Sequence, residues 1–109
     1  VRVFLETQTE IEVLGEADSG EKAVTMSAEF APDVVLLDLL MPKMNGVEAT
    51  RQIKQISPRS NIIILTSYHE DEYIVPAIKA GALSYLLKDV SPAELVEAVK
   101  KASYGEAVL

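Results

Sequence analysis

Short, unbroken aliphatic runs alternate with longer amphipathic stretches along this chain, and no other feature of it constrains the fold as strongly. Val34–Leu37, Ile62–Leu65 and Leu83–Leu87 (Leu-Ser-Tyr-Leu-Leu) are such runs, and Ile11–Leu14 (Ile-Glu-Val-Leu) is a fourth, meeting Gly15. Continuous runs of this length suit strands covered on both faces. Between them, apolar residues recur at helical spacing. One helix is predicted from Ser19 or Gly20 to about Phe30, with Ala23, Val24, Ser27 and Ala28 at helical spacing and Pro32 closing it. A second covers Gly46–Ile56, with Val47, Ala49, Ile53 and Ile56 as its stripe and Ser57-Pro58 as its stop. A third covers about Glu70–Ala80, with Gly81 at its C-terminus. The last has the clearest start signal: Ser91 as N-cap, Pro92 at the first helical position and Glu94 at the third. It should reach about Tyr104, with Leu95, Val96, Ala98, Val99 and Ala102 inward and Gly105 ending it. Strands alternating with helices predict βαβ units, right-handed crossovers and an α/β fold with a doubly wound parallel sheet. Val1–Gln8 fits the end of a helix, through Val1, Phe4 and Leu5, better than it fits a strand.

Composition narrows the function. The 109 residues make one domain, with 49% hydrophobic and 25% charged residues, a globular balance. Ten Lys and Arg stand against seventeen Asp and Glu. The resulting charge of −7 disfavours nucleic-acid binding by this segment, because DNA affinity comes mainly from basic side chains on phosphates. The absence of cysteine excludes disulfides, zinc-thiolate sites and thiol catalysis, and the single His excludes multi-His metal sites. No apolar run approaches the roughly 18 residues of a membrane span, and no signal peptide, internal repeat or low-complexity stretch is seen. The chain does not open on Met, and it reads as an excerpt of something longer.

Three aliphatic runs end in reactive polar residues: Asp38, Thr66 and Lys88. In open α/β sheets, ligands bind beyond the carboxyl ends of the strands. A carboxylate can accept a phosphoryl group, a lysine can neutralise its oxygens, and a hydroxyl can donate to one of them. Each residue alone has a blander explanation, a strand-terminal Asp being commonly a turn cap. All three at one rim point to phosphoryl chemistry.

The segment Val-Val-Leu-Leu-Asp-Leu-Leu-Met-Pro-Lys-Met-Asn-Gly (residues 34–46) resembles the phosphorylation loop of bacterial response-regulator receiver domains. Leu65-Thr66-Ser67 resembles their switch segment, and Ala80-Gly81-Ala82 with Tyr85-Leu86-Leu87-Lys88-Asp89 resembles their fifth-strand signature. Lys88-Asp89 and Gly-Val-Glu-Ala-Thr (residues 46–50) are similar to the NarL/FixJ (LuxR-type) subfamily. The resemblance covers essentially the whole chain. It implies a flavodoxin/CheY-like sheet of strand order 2-1-3-4-5, with Asp38 as phosphoacceptor from a sensor histidine kinase. It also implies Thr66 as switch hydroxyl, Lys88 as phosphoryl partner and Tyr85 as switch aromatic. Mg²⁺ would be held by Asp38 and the Leu40 backbone carbonyl, in keeping with the preference of hard Mg²⁺ for oxygen. Residues 1–104 would form the receiver, and 105–109 the start of a linker to a helix-turn-helix DNA-binding domain. The expected protein is cytoplasmic, not an enzyme, homodimeric, and away from membranes. Ala77, Ile78 and the last helix, or the face of the first and last helices, are candidate dimer surfaces.

One departure stands out. Receivers carry an acidic pair after their first strand, and neither that strand nor that pair is found here. If Val1–Gln8 is the end of the first helix, roughly fifteen residues are missing. Without them two strand edges would lie unpaired at Ile11–Leu14 and Val34–Leu37, and Mg²⁺-dependent phosphorylation should fail. The expectation is therefore a physical chain longer than this one, or another protomer filling the gap. Glu16 and Asp18 read as a solvated loop rather than stand-ins. His69-Glu70-Asp71-Glu72 places negative charge at a helix start, favouring the macrodipole. His69 reads as a tuner of phosphoryl lifetime rather than a metal ligand. Pro76 should delay the regular helix to near Val75. Two other functions compete. A phosphorylation-independent pseudo-receiver would share the fold. A haloacid-dehalogenase-type phosphatase would need an Asp where Leu40 stands. No Gly-rich phosphate loop supports a nucleotide-binding flavodoxin-like protein.

Overall fold

The computed structural model describes residues 15, 17, 19–38, 46–66 and 71–105, apart from the side chains of 71–73. The expected strand at Ile11–Leu14 and the segment Val1–Gln8 lie outside them. The elements in chain order are α1 (Gly20–Phe30), β1 (Val34–Asp38), α2 (Gly46–Ile56), β2 (Asn61–Thr66), α3 (Asp71–Ala80), β3 (Ser84–Leu87) and α4 (Pro92–Ser103). The three strands form one parallel sheet in the order β1-β2-β3. Val35 pairs with Ile62 and Leu37 with Ile64, while Ile64 pairs with Tyr85 and Thr66 with Leu87.

Strand alternation sorts the sheet into two covered faces. Leu37, Ile62 and Ile64 pack with Ala23 of α1, Ala49 and Ile53 of α2, and Ala77 of α3. On the other face Leu36, Leu65 and Leu86 pack with Leu95 and Val96 of α4, and Ile63 packs with Ala98 and Ala102. Ile62, Ile63 and Ile64 are completely buried. Three consecutive isoleucines inaccessible to water require helices on both sides, which is why the run reads as a central strand. Each such side chain contributes about 1.5–3 kcal/mol by leaving water.

The helix ends follow local rules. The Ser19 hydroxyl accepts from Lys22 N–H (3.2 Å), and the Ser91 hydroxyl accepts from Glu94 N–H (3.2 Å). α1 closes at Ala31, whose φ of 44° is left-handed and whose N–H donates to the Ser27 carbonyl (2.9 Å). α3 closes at Gly81 (φ 121°), which donates to the Ile78 carbonyl (3.0 Å). At the N-terminal end of the sheet, the Ser60 hydroxyl donates to the Pro32 carbonyl (2.6 Å) and lies 2.7 Å from the Ser57 hydroxyl. The Lys54 ammonium donates to the carbonyls of Pro58 (2.8 Å) and Ser60 (2.9 Å). The Asn61 amide donates to the Ala102 carbonyl (2.7 Å), tying the start of β2 to the end of α4.

Several expectations need correction. The helix containing Pro76 is regular from Asp71, not from Val75. Pro76 is the sixth residue of this helix, and its missing N–H leaves the Glu72 carbonyl without its helical donor while the helix runs on. β2 extends one residue further at each end than the aliphatic run, β1 includes Asp38, and β3 starts at Ser84 rather than Leu83. Ile56, read as part of the apolar stripe of its helix, and Ala28, at helical spacing in the one before, are exposed. Ile56 lies on the last turn of α2, at the helix end.

Candidate functional site

Parallel strands deliver their C-terminal ends to one rim, and here that rim gathers the polar residues that follow the aliphatic runs. Asp38 is the last residue of β1, opposite Leu65. Thr66 is the last residue of β2, opposite Leu87. Lys88 follows β3, and its backbone N–H donates to the Thr66 carbonyl (2.7 Å), extending the ladder by one bond. By alternation Lys88 shares the face of Ser84 and Leu86, which is also the face of Leu36 and Asp38. The consequence is direct contact: Lys88 Nζ lies 3.1 Å from Asp38 Oδ2.

Both side chains of this pair are partly open to water, 42% for Lys88 and 39% for Asp38. Pairs at such exposure are worth about 0.2–1 kcal/mol and are screened by salt. The pair therefore adds little to stability, and its interest is chemical: a carboxylate oxygen held at a cation on the edge of a cleft. The cleft has a volume of about 280 Å³ and is lined by Asp38, Leu65, Lys88, Val90 and Leu95.

Thr66 is completely buried. Its side chain belongs by alternation to the opposite face, that of Ile62 and Ile64. Tyr85, paired with Ile64, lies on this same face and is 36% exposed. The structure thus joins Asp38 to Lys88 through their side chains, and Thr66 to Lys88 through the backbone. Leu40, Glu16, Asp18, Ser67, His69 and Glu70 lie outside the described residues. No sequence signal marks Leu65, Val90 or Leu95 as site residues. Leu95 carried only a core signal, and Val90 comes to the cleft through a turn in which its N–H donates to the Leu87 carbonyl (3.0 Å).

A hard divalent cation needs several oxygen donors. Asp38 is a donor of the right type, but no group of three or more acidic, His or Cys side chains assembles among the described residues. They supply part of such a site, not all of it. Among the described residues, no helix is long and apolar enough to cross a membrane.

Comparison with known proteins agrees with this geometry. The response regulator receiver domain family matches residues 1–100. The transcriptional regulatory protein LiaR of Bacillus subtilis is 50% identical over 103 residues, covering 94% of this chain and 49% of that protein. The chain spans about half the length of the curated relatives it matches. Among solved structures, the signal receiver domain of NarL from Mycobacterium tuberculosis superposes with a TM-score of 0.90 at 30% identity, covering 96% of this chain and 85% of that one. The receiver domain of a Pseudomonas aeruginosa sensor histidine kinase, with a magnesium ion coordinated in its active-site cleft, gives 0.83 at 26% identity, covering 94% and 84%.

Proposed function

Because this chain belongs to the response regulator receiver domain family, we propose that it takes a phosphoryl group onto Asp38 from the phosphohistidine of a sensor kinase. The observation that carries the proposal is the 3.1 Å contact between Asp38 and Lys88 at the carboxyl rim of the sheet. A carboxylate oxygen of Asp38 attacks phosphorus, the P–N bond to the histidine breaks, and its electron pair returns to the imidazole. The acyl phosphate then carries close to two negative charges beside Lys88, which neutralises part of them as a point charge.

Thr66 would donate to a second phosphoryl oxygen, which requires its hydroxyl to leave the face it shares with Ile62 and Ile64. Tyr85, on that same face, would move into the space vacated. Phosphorylation shifts the population between two packings by no more than the difference in contacts they make with the phosphoryl group. A magnesium ion, for which the family resemblance names Asp38 and the Leu40 backbone carbonyl as holders, would supply further positive charge for the phosphoryl oxygens; the acidic pair that completes such a site in receivers is not found in this sequence.

In this reading the domain (residues 1–104) is a cytoplasmic signal acceptor rather than an enzyme. Its phosphorylation alters homodimerisation, and residues 105–109 lead towards a helix-turn-helix domain that binds DNA. The test is an intact mass spectrum before and after acetyl phosphate with Mg²⁺. A phosphoryl mass increment that disappears in Asp38→Ala supports the proposal. No increment in the protein at its natural length favours a phosphorylation-independent interaction module.

A further inference from the structure

We propose that Val90 and Leu95 are positioning residues that act through Lys88, forming the apolar wall that keeps its ammonium over Asp38. The chemical consequence rests on the phosphoacceptor reading above; the geometric claim does not.

A lysine has a flexible four-carbon stem, and an exposed ion pair does little to immobilise it. Here Lys88 is 42% exposed, and an ion pair at that exposure does little by itself to fix its ammonium. Its root is fixed by the bond from its own N–H to the Thr66 carbonyl. The bond from Val90 N–H to the Leu87 carbonyl turns the chain back, so that Val90 lines the same cleft as Lys88. Leu95, on the first turn of α4, is 4% exposed and packs with Leu36, Leu65 and Leu86. Its depth is set by the Ser91 cap, because its N–H donates to the Ser91 carbonyl (3.0 Å) beside the Glu94 bond to the Ser91 hydroxyl.

Asp38 and Lys88 therefore share a cleft whose remaining lining is Leu65, Val90 and Leu95. A lysine stem lies along apolar surface while its head seeks a polar partner. Against this wall the partner within the cleft is Asp38. Truncating the wall admits water on that flank and widens the choice of lysine rotamers. Val90 is only half-buried, so shortening it disturbs the core less than shortening Leu95.

The test is a double-mutant cycle in the protein at its natural length, with Val90→Ala in Lys88 and Lys88→Met backgrounds. Acetyl phosphate is the phosphoryl source, the rate of mass gain is the first readout, and the Lys88 ammonium signal in ¹⁵N NMR, identified by its loss in Lys88→Met, is the second. Val90→Ala should slow phosphorylation about two- to fivefold, the range an exposed ion pair commands. It should also shift or broaden the Lys88 signal, and it should add nothing in Lys88→Met. Leu95→Ala should act in the same direction, and Leu95→Met should restore the rate. Equal slowing in both backgrounds, or an unchanged Lys88 signal, overturns the proposal. If wild-type protein takes up no phosphoryl group, the phosphoacceptor reading fails. The NMR signal then decides the positioning claim alone, as it does if Lys88→Met is too slow to measure.

Discussion

Gly81→Ala should destabilise the domain by about 2–4 kcal/mol, through two separable effects. Gly81 ends α3 with φ at 121°, a region open essentially to glycine, and forcing another residue there costs about 1–3 kcal/mol. The new Cβ would also stand 2.8 Å from Cγ of Lys54, 3.5 Å from its Cβ and 3.6 Å from its Cδ. The lysine stem must then swing aside, which strains the two bonds from its ammonium to the Pro58 and Ser60 carbonyls. Those bonds are partly solvated, so their loss adds only about 1 kcal/mol. Urea unfolding measures the sum. With a slope of about 2 kcal/mol per molar, in the middle of the usual range, the midpoint should fall by roughly 1–2 M while the slope stays constant. In a Lys54→Ala background the close contact to Cγ is gone, so Gly81→Ala should cost less there than in the wild type. A loss below about 0.5 kcal/mol would refute the backbone argument, and identical losses in both backgrounds would refute the role given to Lys54.

Three further substitutions test other parts of the framework. Ser60→Ala removes a completely buried hydroxyl that donates to the Pro32 carbonyl and meets Ser57; it should cost about 1–3 kcal/mol in a thermal melt. Ala31→Gly relieves a left-handed alanine at the end of α1 and should stabilise by about 0.5–1 kcal/mol, raising Tm by a few degrees. Pro76→Ala returns a donor to the Glu72 carbonyl within α3 and should stabilise by about 1 kcal/mol or more in urea titration.

The parts of this fold that could be read from sequence are those decided within a few residues. Ile62–Leu65 announces a doubly covered strand because four consecutive aliphatic side chains have no other use at that length. Ser91-Pro92 with Glu94 announces α4 because the cap, the fixed φ and the charge act within one turn. Asp38, Thr66 and Lys88 stood out because each closes such a run, and the structure brings Asp38 and Lys88 into contact. Features that depend on neighbours were hidden. The exposure of Ile56 depends on where the elements beside α2 stop, which periodicity does not contain. Ser57 and Ser60 looked like a simple helix stop, yet they are buried because each satisfies the other and Ser60 also reaches Pro32, 28 residues away. Val90 reaches the cleft only through the turn after β3, and no local pattern marks it.

The bond from Asn61 to the Ala102 carbonyl gives α4 an anchored end. Leu95, at the cleft, is seven residues from that anchor, about 10 Å along the axis. With the far end held, any motion of α4 at the cleft would turn it about Ala102 as a lever. A displacement of about 1 Å at Leu95 corresponds to a tilt of roughly 5–6° by this geometry. In such a motion the chain leaving the helix at Tyr104 and Gly105, beside the fulcrum, would travel least, and the flanks of the first turns would sweep farthest.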